Sequence, residues 1–149
     1  MEPAGPAAPL RGPDHQGWVL VCDDTESIRL LIRINLELAD FEVVESTDGE
    51  SAIALLRGAG ANLPGCVILD AQMSPRDGWW AMGQIRRSPE LAHLPVVMVT
   101  AALQQHERAR AGGAGLDAFV AKPFDPDHLV DLVRGFVGRG RLFDTPDRP

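Results

Sequence analysis

Short apolar runs alternate with amphipathic stretches from residue 18 to about residue 138. Five runs read as strands, over 18–22, 42–46, 66–69, 96–100 and 118–121. Four of them are continuously apolar, as strands covered on both faces must be. The second, EVVES, is more polar and suits a sheet edge. Between the runs the pattern takes a helical period. Over 25–39, Arg29, Arg33 and Glu37 recur at steps of four and predict one wet stripe, with Ile28, Leu31, Ile32 and Leu38 on the drier sides. Asp48 can cap a helix that buries Ala52, Ile53 and Leu56 and stops at Gly58 and Gly60. Asp77 can cap another, with Trp80, Met82 and Ile85, that stops before Pro89. The last helix is the clearest: Asp125 is a good N-cap, Pro126 fits the first helical position, and Leu129, Leu132, Val133, Phe136 and Val137 fall on one face. A helix over 104–112 has few apolar residues to bury and is expected to be the least stable.

The pattern is βα repeated five times. Strands joined by helical crossovers run parallel, and the crossovers are right-handed. The expected fold is α/β, a doubly wound five-stranded parallel sheet with helices on both faces.

Length and composition fit that picture. A chain of 149 residues favours one domain. Residues 1–17, rich in Pro, Gly and Ala, read as a disordered leader, and 139–149 as a short polar tail. No apolar run approaches the roughly 20 residues of a membrane helix, and the leader lacks the form of a secretory signal. The expected setting is cytoplasmic, with no membrane contact. The net charge of −7 and the absence of any Lys/Arg stripe argue against a nucleic-acid surface. Cys22 and Cys66 fall in predicted strands and read as reduced apolar fillers. The four histidines share no spacing that suggests a site.

Chemistry gathers where the strands end. Asp23 and Asp24 follow the first strand, Asp70 the third, Thr100 closes the fourth and Lys122 follows the fifth. In an open parallel sheet, ligands bind beyond the carboxyl ends of the strands, so these five residues can share one crevice. Carboxylates about 4 Å apart repel by about 4 kcal/mol at an effective dielectric near 20. Such a cluster must shift its pKa values or bind a cation. Oxygen-only ligands favour Mg²⁺, with Mn²⁺ able to substitute. Asp70 is then either a ligand alone or a nucleophile that forms an aspartyl-phosphate. Lys122 can clamp the phosphoryl oxygens and the Thr100 hydroxyl can donate to one of them.

These residues resemble the receiver domain of two-component response regulators, of the single-domain chemotaxis-regulator kind. The resemblance covers about residues 18–138 and rests on DD at 23–24, DAQMSPRDG at 70–78, TA at 100–101 and FVAKPF at 119–124. It implies a flavodoxin-like sheet in the order 2-1-3-4-5. It implies that Asp70 accepts phosphate from a phosphohistidine on a sensor histidine kinase or phosphotransfer protein. Asp24 and Asp70 would ligate Mg²⁺ directly, Asp23 mostly through water, and the Gln72 carbonyl would complete the set. Thr100 and Phe119 would form a switch that changes contacts with a downstream target protein. A homodimer through the face of the fourth helix, fifth strand and fifth helix is a further implication. With no output domain, the expected function is a stand-alone regulator that catalyses only its own phosphorylation and dephosphorylation.

Three departures stand out. Thr25 replaces a common third acid, so slightly weaker metal affinity is expected. Ser74 displaces the loop proline to Pro75, while Gly78 keeps its distance from Asp70. Phe119 holds the switch position in a chain without tyrosine. Gln72 and Ala102 flank the expected path of attacking water. The rival functions are a Mg²⁺-dependent phosphatase, for which Gln72 stands where an acid/base is needed, and a phosphate-independent adaptor. Of Trp79 and Trp80, one is expected in the core and one partly exposed.

Overall fold

The continuous apolar runs fill both faces of one sheet. The structure, a computed structural model, describes residues 17–101 and 115–139. Its elements are β1 (Trp18–Cys22), α1 (Glu26–Leu38), β2 (Glu42–Ser46), α2 (Gly49–Gly58), β3 (Cys66–Asp70), α3 (Gly78–Arg87), β4 (Val96–Thr100), β5 (Ala118–Ala121) and α4 (Pro126–Arg139). The helix expected over 104–112, Ala102, and residues 1–16 and 140–149 lie outside the described residues.

All strand pairs are parallel, in the order β2-β1-β3-β4-β5. Alternation along β1 shows why its run is unbroken. Trp18, Leu20 and Cys22 enter a core with Ile53 and Leu56 of α2 and Met82 and Ile85 of α3. Val19 and Val21 enter the opposite core, with Ile32 and Leu36 of α1 and Val133 and Phe136 of α4. Each central strand serves two cores, so the sheet is doubly wound. The thiols of Cys22 and Cys66 are buried and unpaired as disulfide. Burial pushes Cys22 up to about 12 and Cys66 up as well, so both are inert fillers.

The caps are those the sequence predicts. Asp48 accepts from the Ser51 N–H at 2.9 Å and Asp77 from the Trp80 N–H at 2.9 Å. Asp125 accepts from the Asp127 N–H at 3.0 Å. Helix α1 differs from expectation on both faces. Leu31 and Leu38 are exposed, and within the charged stripe Arg29 is largely buried while Arg33 and Glu37 stay wet. Arg29 Nε and Arg33 Nη1 reach Glu45 of β2 at 2.8 and 2.6 Å. The polar edge strand thus supplies the anion that draws Arg29 down and meets Arg33 at the surface. Burial pushes Glu45 up, but hydrogen bonds from Arg29 and Arg33 outweigh it and hold the carboxyl below its ordinary 4.5. A depressed carboxylate stabilises the fold above its unfolded pKa and loses that contribution as pH falls through the folded one. Glu45→Gln is therefore expected to cost about 1 kcal/mol at pH 7, with the difference closing as the pH falls below the ordinary 4.5, read by urea unfolding.

At the opposite end of the sheet from the site, Arg86 of α3 ties several segments together. It donates to the carbonyls of Ala92, Leu94 and Gly115 at 3.0, 2.8 and 3.0 Å, and to Asp117 Oδ2 at 3.0 Å. The same Asp117 oxygen accepts from Val96 N–H at 2.9 Å, at the first residue of β4. This pair fixes where β4 and β5 begin.

Candidate functional site

Strand order reverses between β1 and β3, and the acidic residues lie there. Asp23 and Asp24 leave β1, and Asp70 is the last residue of β3. Carboxylate oxygens of the three lie within 4.8 Å of one another. Asp23 and Asp70 are buried and Asp24 is exposed. Lys122, just past β5, reaches across the sheet ends to both buried acids. Its Nζ lies 3.0 Å from Asp23 Oδ2 and 3.3 Å from Asp70 Oδ2. The Lys122 N–H also donates to the Thr100 carbonyl at 2.8 Å, which joins the ends of β4 and β5.

Backbone groups hold the acids in place. The Thr25 N–H donates to Asp23 Oδ1 at 2.8 Å, and the Gln72 N–H to Asp70 Oδ1 at 3.1 Å. Thr25 is the N-cap of α1 by its backbone alone, so Asp23 is left to face the crevice. Burial pushes the Asp70 carboxyl up to about 6; the Gln72 N–H opposes this, the Asp23 charge adds to it, and Lys122 opposes it again. Burial would lower Lys122, but hydrogen bonds and charges from Asp23 and Asp70 hold it above its ordinary value. One ammonium against three carboxylates leaves a net negative pocket of hard oxygen donors, the donor set suited to a divalent cation such as Mg²⁺.

A cleft of about 390 Å³ opens beside the cluster, lined by Asp24, Gln72, Ser74, Asp77 and Trp79 among others. Gly78 lets α3 start close against β3: a Cβ there would collide with the Asp70 carbonyl oxygen. Only glycine lets the start of α3 sit against the end of β3, whatever the position of Pro75. The Ser74–Pro75 and Lys122–Pro123 bonds are both cis.

Thr100 is fully buried, and in the sheet register Asp70 lies opposite Val99, one residue before it. Phe119 lies opposite Met98, on the sheet face covered by α2 and α3. Its ring is 6.4 Å from that of Trp79, at 42°. Sequence reasoning placed one tryptophan in the core, and it is Trp79; Trp80 is half-buried with the Arg76 guanidinium 5.1 Å from its ring. Nothing in the sequence pairs aromatics 40 residues apart, so only the structure reveals the Trp79–Phe119 contact. All of Asp23, Asp24, Asp70, Gln72, Thr100 and Lys122 come to this end of the sheet; Phe119 lies one strand step below.

The family model for response regulator receiver domains matches residues 19–134. The DNA-binding dual master transcriptional regulator RpaA of Synechocystis is 32% identical over 121 residues, covering 81% of this chain and 49% of that protein. The chain thus spans about half the length of the curated relatives it matches. Among solved structures, the chemotaxis response regulator CheY4 of Vibrio cholerae is similar at 25% identity and a TM-score of 0.72, covering 80% of this chain and 98% of that one. The receiver domain of sensor histidine kinase PA1611 from Pseudomonas aeruginosa PAO1 shares the fold at 24% identity and a TM-score of 0.72, covering 82% of this chain and 98% of that one. That structure has a magnesium ion coordinated in its active-site cleft.

Proposed function

We propose, from the premise that this chain belongs to the family of response regulator receiver domains, that it is a phosphorylatable switch whose acceptor is Asp70. The observation that carries the reading is Lys122 Nζ within 3.3 Å of both Asp23 and Asp70, with Asp24 beside them. A nucleophilic carboxylate, a cationic clamp and an acidic pocket are the parts an acyl phosphate needs.

In this reading Asp23, Asp24, Asp70 and the Gln72 carbonyl hold Mg²⁺, for which Mn²⁺ can substitute. The ion, when bound, supplies positive charge against the phosphoryl oxygens. An Asp70 oxygen attacks phosphorus of a phosphohistidine on a sensor histidine kinase or phosphotransfer protein. The P–O bond forms as the P–N bond breaks, and the imidazole leaves with a proton. Lys122 shifts its ammonium from the free Asp70 carboxylate to the new phosphoryl oxygens. Thr100 then donates its hydroxyl to the group, and Phe119 turns inward to fill the space that Thr100 vacates. Contacts with a downstream target change at the face that includes β5 and α4. The protein turns over no separate substrate, and a cytoplasmic setting fits its two inert thiols.

Incubation with Mg²⁺ and acetyl phosphate, followed by intact-mass measurement, tests the reading. A gain of one phosphoryl group, lost in the presence of a chelator, is expected. No gain, or a gain indifferent to the metal, would overturn it.

A further inference from the structure

The loop between β3 and α3, residues 71–77, walls the cleft beside the acidic cluster with Gln72, Met73, Ser74 and Asp77. Gln72 serves the site directly, its N–H on Asp70 Oδ1 at 3.1 Å. What holds this loop in place comes from α2, a helix that offers no side chain to the chemistry. Gly49, the first residue of α2, is buried against the loop. Its N–H donates to the Arg76 carbonyl at 2.8 Å. A Cβ built on Gly49 would lie 2.8 Å from the carbonyl oxygens of both Arg76 and Asp77, closer than such atoms stand in folded proteins. One residue back, the Asp48 carbonyl accepts from the Cys22 thiol at 3.1 Å. The same sulfur lies 3.4 Å from Met73 Sδ in the loop. The start of α2 and the cleft wall thus meet twice, once directly and once through Cys22.

We infer that Gly49 is a positioning residue for the divalent-cation cleft: the absence of a side chain there lets α2 press the 71–77 loop into the place from which Gln72 and the acids take the ion. The inference rests on the proposed reading of the cleft as a Mg²⁺ site. Neither neighbour of Gly49 yields readily. Helix α2 is keyed into the core by Ala52, Ile53 and Leu56, all at most 2% exposed. The far end of the loop is pinned at Gly78, where a Cβ would collide with the Asp70 carbonyl oxygen. A methyl group at position 49 therefore displaces the part of the loop nearer Gln72, and with it the N–H that holds Asp70. Every ligand stays chemically intact, so the loss is one of geometry. Groups that orient metal ligands without touching the metal are worth about 10–100-fold in affinity.

Gly49→Ala should weaken Mn²⁺ binding about tenfold, read as free Mn²⁺ by electron paramagnetic resonance with no phosphoryl donor present. In labelling by acetyl phosphate, the Mg²⁺ concentration at half-maximal rate should rise by the same factor, while the rate at saturating Mg²⁺ stays within about twofold. Gly58→Ala, at the other end of α2 with no neighbouring atom within 4 Å of the added carbon, should change neither. Loss of fold stability alone would lower the unfolding midpoint and leave the Mn²⁺ affinity of the folded protein where it was. Should Gly49→Ala not fold, the wild type supplies the reading. By reciprocity, saturating Mg²⁺ should slow hydrogen exchange of the Gly49 amide, bonded to Arg76, and leave that of Ala59, bonded to Leu56, unchanged. A folded Gly49→Ala protein that binds Mn²⁺ as wild type does overturns the inference, as does a Gly49 amide indifferent to Mg²⁺. A wild type that binds Mn²⁺ but gains no phosphoryl group overturns the acceptor role of Asp70 alone, and the Mn²⁺ affinities still decide the role of Gly49. A wild type that binds no Mn²⁺ overturns both.

Discussion

Asp70→Asn protein gains no phosphoryl group from acetyl phosphate under conditions that fully modify the wild type. The amide is nearly the same size as the carboxylate but offers no nucleophilic oxygen anion, so the loss is complete rather than partial. Misfolding is excluded as the cause by a second expected result, measured with chelator present. The Asp70 carboxyl is pushed up to about 6 by burial, so its charge costs the folded state stability at pH 7. The sign follows from linkage: a raised carboxylate destabilises the fold above its folded pKa, and that cost fades as pH falls from about 6 toward the ordinary 3.8. Asp70→Asn should therefore be more stable than wild type by about 1–2 kcal/mol at pH 7 in urea unfolding. The gap should shrink at pH 4. Lys122 keeps Asp23 as its partner at 3.0 Å, so the substitution strands no ammonium. Loss of labelling with a gain of stability separates the acceptor role from a structural one.

Arg86→Met, far from the site, is expected to cost about 3–5 kcal/mol. Methionine keeps the apolar stem but removes four donated hydrogen bonds. It also leaves the Asp117 carboxylate, with a side chain 0% exposed, without its guanidinium partner. A buried charge that loses its counter-charge costs far more than the intact pair contributes. Adding Asp117→Asn should recover about half of the loss, because the amide oxygen can still accept from Val96 N–H and no charge is stranded. Recovery in the double variant is the signature of an ion pair; additive losses in urea unfolding would instead mean that the two side chains act separately. Because Arg86 fixes the start of β4 and β5, the single variant should also lower the protection of both strands in hydrogen exchange.

Fold legibility differed element by element. The runs WVLVC, CVIL and VVMVT announced strands because a residue buried on either face is nearly always apolar, and the edge strand β2 announced itself by two glutamates; AFVA, the other edge, gave no such sign of its place. Caps at Asp48, Asp77 and Asp125 were legible because a cap is a bond between residues two or three apart. The same local logic misread α1. Its periodicity shows which residues share a side, but whether Arg29 lies wet or against Glu45 depends on a strand 16 residues away. Nor could it show that Leu30 and Ile34 face outward, since two opposite sides of the helix are apolar and either could have met the sheet.

By itself, the sequence determined the parallel α/β architecture and the set of residues at the strand ends, because burial and βα alternation leave few other arrangements. Only the tertiary structure decided distances: that Lys122 bridges Asp23 and Asp70, that Trp79 meets Phe119, and that Arg86 reaches Asp117. These are contacts between residues 31 to 99 positions apart. Their geometry is set by strand order and register, which no local pattern of apolar and polar residues encodes.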